Sequence, residues 1–207
     1  MTDPKKPLLN PDRLVDPRSQ PKTTPQWRGD LPHIYKEGCT YFVTFCLADA
    51  VPDRLRRRRT IEDAKDPTKI AEHFDLNPST GNRILRHREI AGIVESAMLY
   101  FQGERYALSA WCVMPNHVHV VVTPFADHTL STILHSWKSY SAHEINKALQ
   151  QSGRVWEQES FDHLVRSERA FEGFVQYTEN NPVVAGLCHR PRDWSFGSAR
   201  FRETRKE

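Results

Sequence analysis

His117 and His119 stand two positions apart in the stretch CVMPNHVHVVVTP, Cys112 to Pro124. Successive side chains of a strand point to opposite faces. His117, His119 and Val121 therefore share one face, and Val118, Val120 and Val122 share the other. Two neutral imidazoles side by side offer two nitrogen donors to a divalent cation. Ten histidines in 207 residues also produce such a pair by chance. The competing reading is two partly exposed histidines bonded to water or carbonyls. A metal site needs a third ligand and a reactive group from elsewhere in the chain.

Two helical stretches each offer a tyrosine with an oxygen-bearing residue four positions later, on the same helical face. One pair is Tyr140 with Glu144, and the other is Tyr177 with Asn181. Glu144 is the stronger ligand by charge. Asn181 brings a neutral amide oxygen, which leaves a bound cation free to polarise a phosphate oxygen. Tyr140 falls on the apolar side of its helix, where core packing is the expectation. Tyr177 lies at the margin of the stripe Phe171, Phe174, Val175 and Thr178, near a helix end. Asn181 also reads simply as a helix C-terminal residue before proline. Spacing alone leaves both pairs open.

The elements that would position these groups follow from periodicity. CTYFVTFCLA (Cys39–Ala48) is a strand by its β-branched and aromatic content. RHREIAGIVESAMLYFQ (Arg86–Gln102) puts Ile90, Val94, Ala97, Met98 and Phe101 on one helical stripe. YALSAWCVM (Tyr106–Met114) and HVHVVVTP (His117–Pro124) form an antiparallel hairpin around a tight turn at Pro115–Asn116. A second helix spans His128–Leu149, with Leu130, Ile133, Leu134, Trp137 and Tyr140 on its apolar side. Residues 153–166 read as strand or loop. A third helix runs from Ser167, its cap, to Pro182, which forbids continuation. The tail after it looks irregular. This order predicts a single α+β domain with a mainly antiparallel sheet and helices packed on it.

Residues 1–30, rich in proline and charge, read as a flexible arm before a domain at 31–207. Residues 49–82 read as an insertion, with a short helix near Ile70–Phe74. The net charge is only +3, but RLRRRRT at Arg54–Thr60 holds five arginines. Such a run suggests a polyanion partner, or merely a solvated surface. Four dispersed cysteines, without a CxxC pair, fit reduced thiols. The N-terminus has no apolar signal core, and no stretch approaches the ~20 apolar residues that span a bilayer. A cytoplasmic protein is the expectation.

WCVMPNHVHVVV, then LHSWKSYSAHEIN, then VQYTENNPVVAGL together resemble the REP-associated tyrosine transposases. These are members of the single-tyrosine HUH (His-hydrophobic-His) transposases and nucleases. The resemblance covers roughly Tyr41 to Phe201 outside the insertion, and implies a ferredoxin-like HUH endonuclease fold. It implies metal-dependent cleavage and rejoining of single-stranded DNA through a 5′-phosphotyrosine, usually at hairpin-forming repetitive palindromes. By position it makes Tyr177 the nucleophile and His117, His119 and Asn181 the ligands of Mg²⁺ or Mn²⁺. It thus selects the last helix over the charge argument for Glu144.

Unpaired DNA would be gripped by stacking and by cations. Lys138, Trp156 and Arg56, Arg57, Arg58 and Arg59 are the candidates, while Trp137 reads as core. Asp162 and His163 read equally as groups supporting the ligands from behind and as an ordinary surface pair. Two other functions compete: a non-cleaving DNA-binding repressor or organiser on the same fold, and a metal phosphoesterase with water as nucleophile. The protein is expected to act as a monomer or homodimer, and whether Tyr177 serves its own subunit is left open by the sequence.

Overall fold

The computed structural model describes residues 26–28, 31–33, 38–50 and 81–202. Two short strands, β1 (Gln26–Arg28) and β2 (Leu31–His33), pair antiparallel. Within the expected arm at 1–30, Gln26–Arg28 is thus paired. The expected helix near Ile70–Phe74 and the arginine run lie outside the described residues.

The main body begins with β3 (Tyr41–Cys46), followed by α1 (Arg88–Leu99), β4 (Tyr106–Val113) and β5 (His117–Pro124). Then come α2 (Leu130–Ala148), β6 (Phe161–Leu164) and α3 (Glu168–Val184). Side-chain caps start both later helices: Thr129 accepts from the Thr132 N–H, and Ser167 accepts from that of Ala170. The sheet order is β4-β5-β3-β6 with every pair antiparallel. Strand–helix–strand–strand–helix–strand with this order is the ferredoxin-like arrangement. The expected α+β class, with a mainly antiparallel sheet, holds.

Alternation along the strands divides the core. Tyr41, Val43 and Phe45 of β3 share a face with Val118, Val120 and Val122 of β5. They pack with Ile90, Val94 and Met98 of α1 and Leu130, Ile133 and Trp137 of α2 in the larger core. The opposite face carries Phe42, Val121 and Ala110, which pack with Phe171 and Phe174 of α3. On β4 the register shifts between Leu108 and Ala110, leaving Ser109 as an extra residue. That bulge lets both Leu108 and Trp111 enter the larger core, although strict alternation would part them.

Two expectations need correction. Tyr140 is 56% exposed, because the buried stripe of α2 runs through Ser141 and Ile145 instead. Pro182 does not stop α3, which continues to Val184. Proline lacks the N–H that would reach the Thr178 carbonyl. The next turn still closes, however, with Ala185 donating to Asn181 and Leu187 to Pro182. Gly186, at φ 69°, then ends the helix in the left-handed region.

The tail is irregular as expected, apart from single 3-10 turns at Pro191–Asp193 and Ser198–Phe201. It lies along the outer edge of β4, where Val113 donates to the Phe196 carbonyl and the Trp194 indole to that of Val113. Trp111 donates its N–H to Ser198 Oγ, and Arg202 donates to the Ser109 carbonyl. An exposed sheet edge is thereby covered.

Candidate active site

Strand pairing fixes the two histidines. On the face of the sheet toward α3, Thr44 of β3 pairs with His119, which pairs in turn with Cys112 of β4. Cys46 pairs with His117. Both imidazoles are about 1% exposed, and their Nε2 atoms are 3.0 Å apart. The outer nitrogens are each engaged. His117 Nδ1 donates to Asn116 Oδ1 at 2.7 Å, and His119 Nδ1 lies 2.8 Å from Thr44 Oγ1. With its proton on Nδ1, His117 presents a lone pair from Nε2 toward its neighbour. Burial pulls the His117 pKa down to about 3 and that of His119 well below the ordinary value, the latter helped by the neighbouring imidazole. Both rings are neutral at physiological pH, the form that binds a metal.

Helix α3 brings the phenol. Tyr177 stands edge-on to His119, ring centroids 5.2 Å apart and planes at 71°. Phe42 organises this contact from β3: its ring stacks on His119 at 5.6 Å and on Phe174 at 4.6 Å, and meets Tyr177 edge-on at 5.7 Å. The Asn181 side chain hydrogen-bonds the Tyr177 hydroxyl, one turn along the helix. Burial pushes the phenol up to about 12, against the pull of that hydrogen bond. An unassisted Tyr177 is thus a protonated, weak nucleophile at neutral pH.

His117, His119, Tyr177 and Asn181 therefore gather at one place in one chain. Tyr140 and Glu144 do not join them, because α2 packs on the opposite face of the sheet. Glu144 lies 3.7 Å from His143 instead. Among the described residues no group of three His, Cys, Asp or Glu side chains could hold a metal ion. An amide such as that of Asn181 is not among those residue types.

The remaining candidates divide. Trp156 is 4% exposed, its indole donates to Ser141 Oγ at 2.9 Å, and it meets Phe45 edge-on at 5.0 Å. It is a core residue and offers no open stacking surface. Lys138 donates to the Gln158 carbonyl and Ser160 Oγ, and burial pulls its pKa down to about 8. Trp137 is buried as expected and donates to the Tyr106 hydroxyl. His163 shares the face of the site but packs on Phe174, at 5.2 Å. Asp162 pairs with Val43 and so turns to the other face. Arg56 to Arg59 lie outside the described residues.

Sequence reasoning missed Thr44, Asn116 and Phe42, which orient the histidines and the tyrosine. Asn116 is adjacent to His117, and that adjacency was the available signal. Thr44 and Phe42 become visible only once β3 is paired with β5.

Comparison with known proteins adds an independent observation. Residues 82–181 match the model of the family described as Transposase IS200 like. Over that stretch the chain is similar to the IS200-like transposases. Within 94 residues it is 26% identical to the REP-associated tyrosine transposase of Escherichia coli (strain K12), over 45% of this chain and 54% of that protein. It is 22% identical over 99 residues to a putative REP-associated tyrosine transposase of Haemophilus influenzae, covering 43% and 56%. The chain thus spans about half the length of the relatives it matches. A solved REP-associated tyrosine transposase bound to a REP hairpin superposes with TM-score 0.57 and 21% identity, over 83% of this chain and 82% of that one. At that identity the likeness speaks for the fold. The resemblance read from the sequence is borne out, and the IS200-like match includes both histidines, Tyr177 and Asn181.

Proposed function

We propose that this protein is a DNA transposase that cleaves and rejoins single-stranded DNA through a covalent bond to Tyr177. The observation that carries the reading is the 5.2 Å approach of the Tyr177 ring to His119 within a single chain. Similarity to the IS200-like transposases supports it. Hairpin DNA is the proposed substrate class, in line with the hairpin held by the structural relative.

The residues present fit a divalent cation. Two buried, neutral imidazoles turn Nε2 atoms toward each other at 3.0 Å. That spacing suits two nitrogens on one ion at ~2.0–2.1 Å each. If both rings carry their proton on Nδ1, two lone pairs face each other and a cation relieves the repulsion. His117, His119 and Asn181 would hold the ion, with Asn116 and Thr44 fixing the imidazole orientations from behind. A mixed nitrogen and oxygen set favours Mn²⁺ over Mg²⁺ on ligand grounds. When bound, the ion would withdraw charge from the non-bridging oxygens of the scissile phosphate.

Tyr177 supplies the nucleophilic oxygen. Its bond to phosphorus forms as the bond from phosphorus to the 3′ oxygen breaks, giving a 5′-phosphotyrosine and a 3′-hydroxyl. The phenol loses a proton and the departing oxygen gains one. The Asn181 hydrogen bond favours the phenolate, offsetting part of the burial effect. Phe42 and His119 hold the ring edge-on, which limits its rotation before attack. Because the ester conserves the bond energy, attack by another 3′-hydroxyl reverses the step. These groups come from one chain, so each subunit serves its own site in this reading.

The test is incubation with a single-stranded hairpin oligonucleotide and Mn²⁺, followed by denaturing electrophoresis. A covalent protein–DNA band that Tyr177→Phe removes supports the transposase. Cut DNA without that band points to hydrolysis by water. Retention of DNA without cleavage points to a binding module.

A further inference from the structure

Helix α3 carries both Tyr177 and Asn181, yet its own attachment to the sheet is weak at that end. Phe171 and Phe174 anchor its first half in the core. Beyond Tyr177 the buried residues are Thr178 and Pro182. Among the described residues the Thr178 hydroxyl has no hydrogen-bond partner, and Pro182 has no N–H to give. Something else must hold the second half in register with the histidines.

Glu179 lies about 200° around the helix from Tyr177, on the opposite flank. Its carboxylate is 13% exposed. Oε1 accepts from Ser198 Oγ at 2.6 Å and from Arg202 Nε at 2.8 Å. Each donor is tied to the edge strand as well: Ser198 Oγ accepts the Trp111 N–H at 3.1 Å, and Arg202 Nη2 donates to the Ser109 carbonyl at 2.8 Å. The tail is itself moored between Ser198 and Arg202. Arg200 makes a two-point contact with Glu95 of α1, at 2.7 and 2.8 Å, and Glu95 also accepts the Trp111 indole N–H. Helix, tail and strand thus form one charge-assisted lattice on the flank away from the phenol.

We propose that Glu179, held by Ser198 and Arg202, is a positioning residue for Tyr177. The tail works as a brace that fixes the rotation of α3 about its axis, and with it the approach of the phenol to His119. This rests on the reading of Tyr177 as the nucleophile, but the brace itself has a readout that does not need catalysis. Arg200 and Glu95 anchor the brace and do not touch the helix.

The experiment uses the full chain with Glu179→Ala, Glu179→Gln, Arg202→Ala and Arg202→Lys. Two quantities are read: amide hydrogen exchange across 178–187 and β5, and the single-turnover rate of covalent adduct formation at saturating hairpin DNA with Mn²⁺. The expected result for both alanine variants is exchange at least tenfold faster at 178–187 with β5 unchanged. Adduct formation should be at least tenfold slower while DNA affinity stays within about twofold. Gln keeps an acceptor and Lys keeps a cation, so each restores part of both losses. Unchanged exchange overturns the brace. Faster exchange with an unchanged adduct rate overturns the positioning role. If wild-type protein forms no adduct, the nuclease reading fails while exchange still decides the brace. Should Glu179→Ala unfold, the contrast between Arg202→Ala and Arg202→Lys decides it.

Discussion

The phenol of Tyr177 meets the imidazole of His119 edge-on at 5.2 Å, although 58 positions separate them in sequence (177 − 119). The contact joins a central strand to the last helix through one intermediary, Phe42, which touches both rings. Tyr177→Phe should abolish the covalent adduct and leave hairpin binding intact. The lost hydroxyl forfeits one hydrogen bond, so stability should fall by no more than about 1 kcal/mol. Denaturing electrophoresis and thermal melting check the two halves. Persistence of the adduct in this variant would refute the assignment.

Asn181 acts on the phenol, and the proposed ligand set joins it to the two histidines. Asn181→Ala should lower adduct yield by roughly 10–100-fold and shift the Mn²⁺ requirement upward. Adding a chelator to wild-type protein should give the same phenotype, reversed by excess Mn²⁺. A Mn²⁺ titration that is identical in wild type and variant would remove Asn181 from the metal site.

His163 provides a pH test away from the proposed ligands. Burial, with Arg166 adding to it, pulls its pKa down to about 4, against an ordinary value of 6.5. Between those values the unfolded chain binds the extra proton and the native state does not. Stability is therefore fully present above pH 6.5 and is lost as pH falls toward 4. The buried histidine pair pulls in the same direction, so the informative quantity is a difference between proteins. His163→Leu should gain on wild type by on the order of 2 kcal/mol from pH 7 to pH 4. Parallel melting curves at both pH values would contradict this.

Trp156 offers a test of core against nucleic-acid contact. It is buried against Phe45 and bonded to Ser141. Trp156→Ala should cost about 3–5 kcal/mol in stability. Trp156→Phe should retain most of that stability and bind hairpin DNA with unchanged affinity, as measured by fluorescence anisotropy. A large loss of affinity in a stably folded Phe variant would restore Trp156 as a base-stacking residue.

Local pattern was enough to read most of this fold. Runs such as YFVTFC and HVHVVV carry the period and composition of strands, and both histidines face the same way because alternation demands it. What local pattern hid were effects of pairing. The Ser109 bulge follows from matching β4 to β5, not from anything in YALSAWCV itself. Tyr140 falls on the exposed flank because the stripe of α2 turns onto Ser141, a polar residue buried by bonding the Trp137 carbonyl. Pro182 reads as a stop because proline costs a helix one bond, but a single missing bond is tolerated near a C-terminus where later carbonyls still find donors. The choice of Asn181 over Glu144 was beyond spacing arguments. It depends on which face of the sheet each helix covers, and only family resemblance supplied it beforehand.

The stretch recognisable as IS200-like ends at 181 and starts at 82. Excised on its own, that piece would lack β3, the strand seated between β5 and β6, as well as the tail lying against β4. β6 would have no neighbour, and the backbone of β5 would be open to any foreign chain seeking a partner. A sequence signature is not a folding unit in this protein. Fusions and truncations should keep everything from before Tyr41 to beyond Arg202, or they will yield an aggregate that still contains every residue of the proposed chemistry.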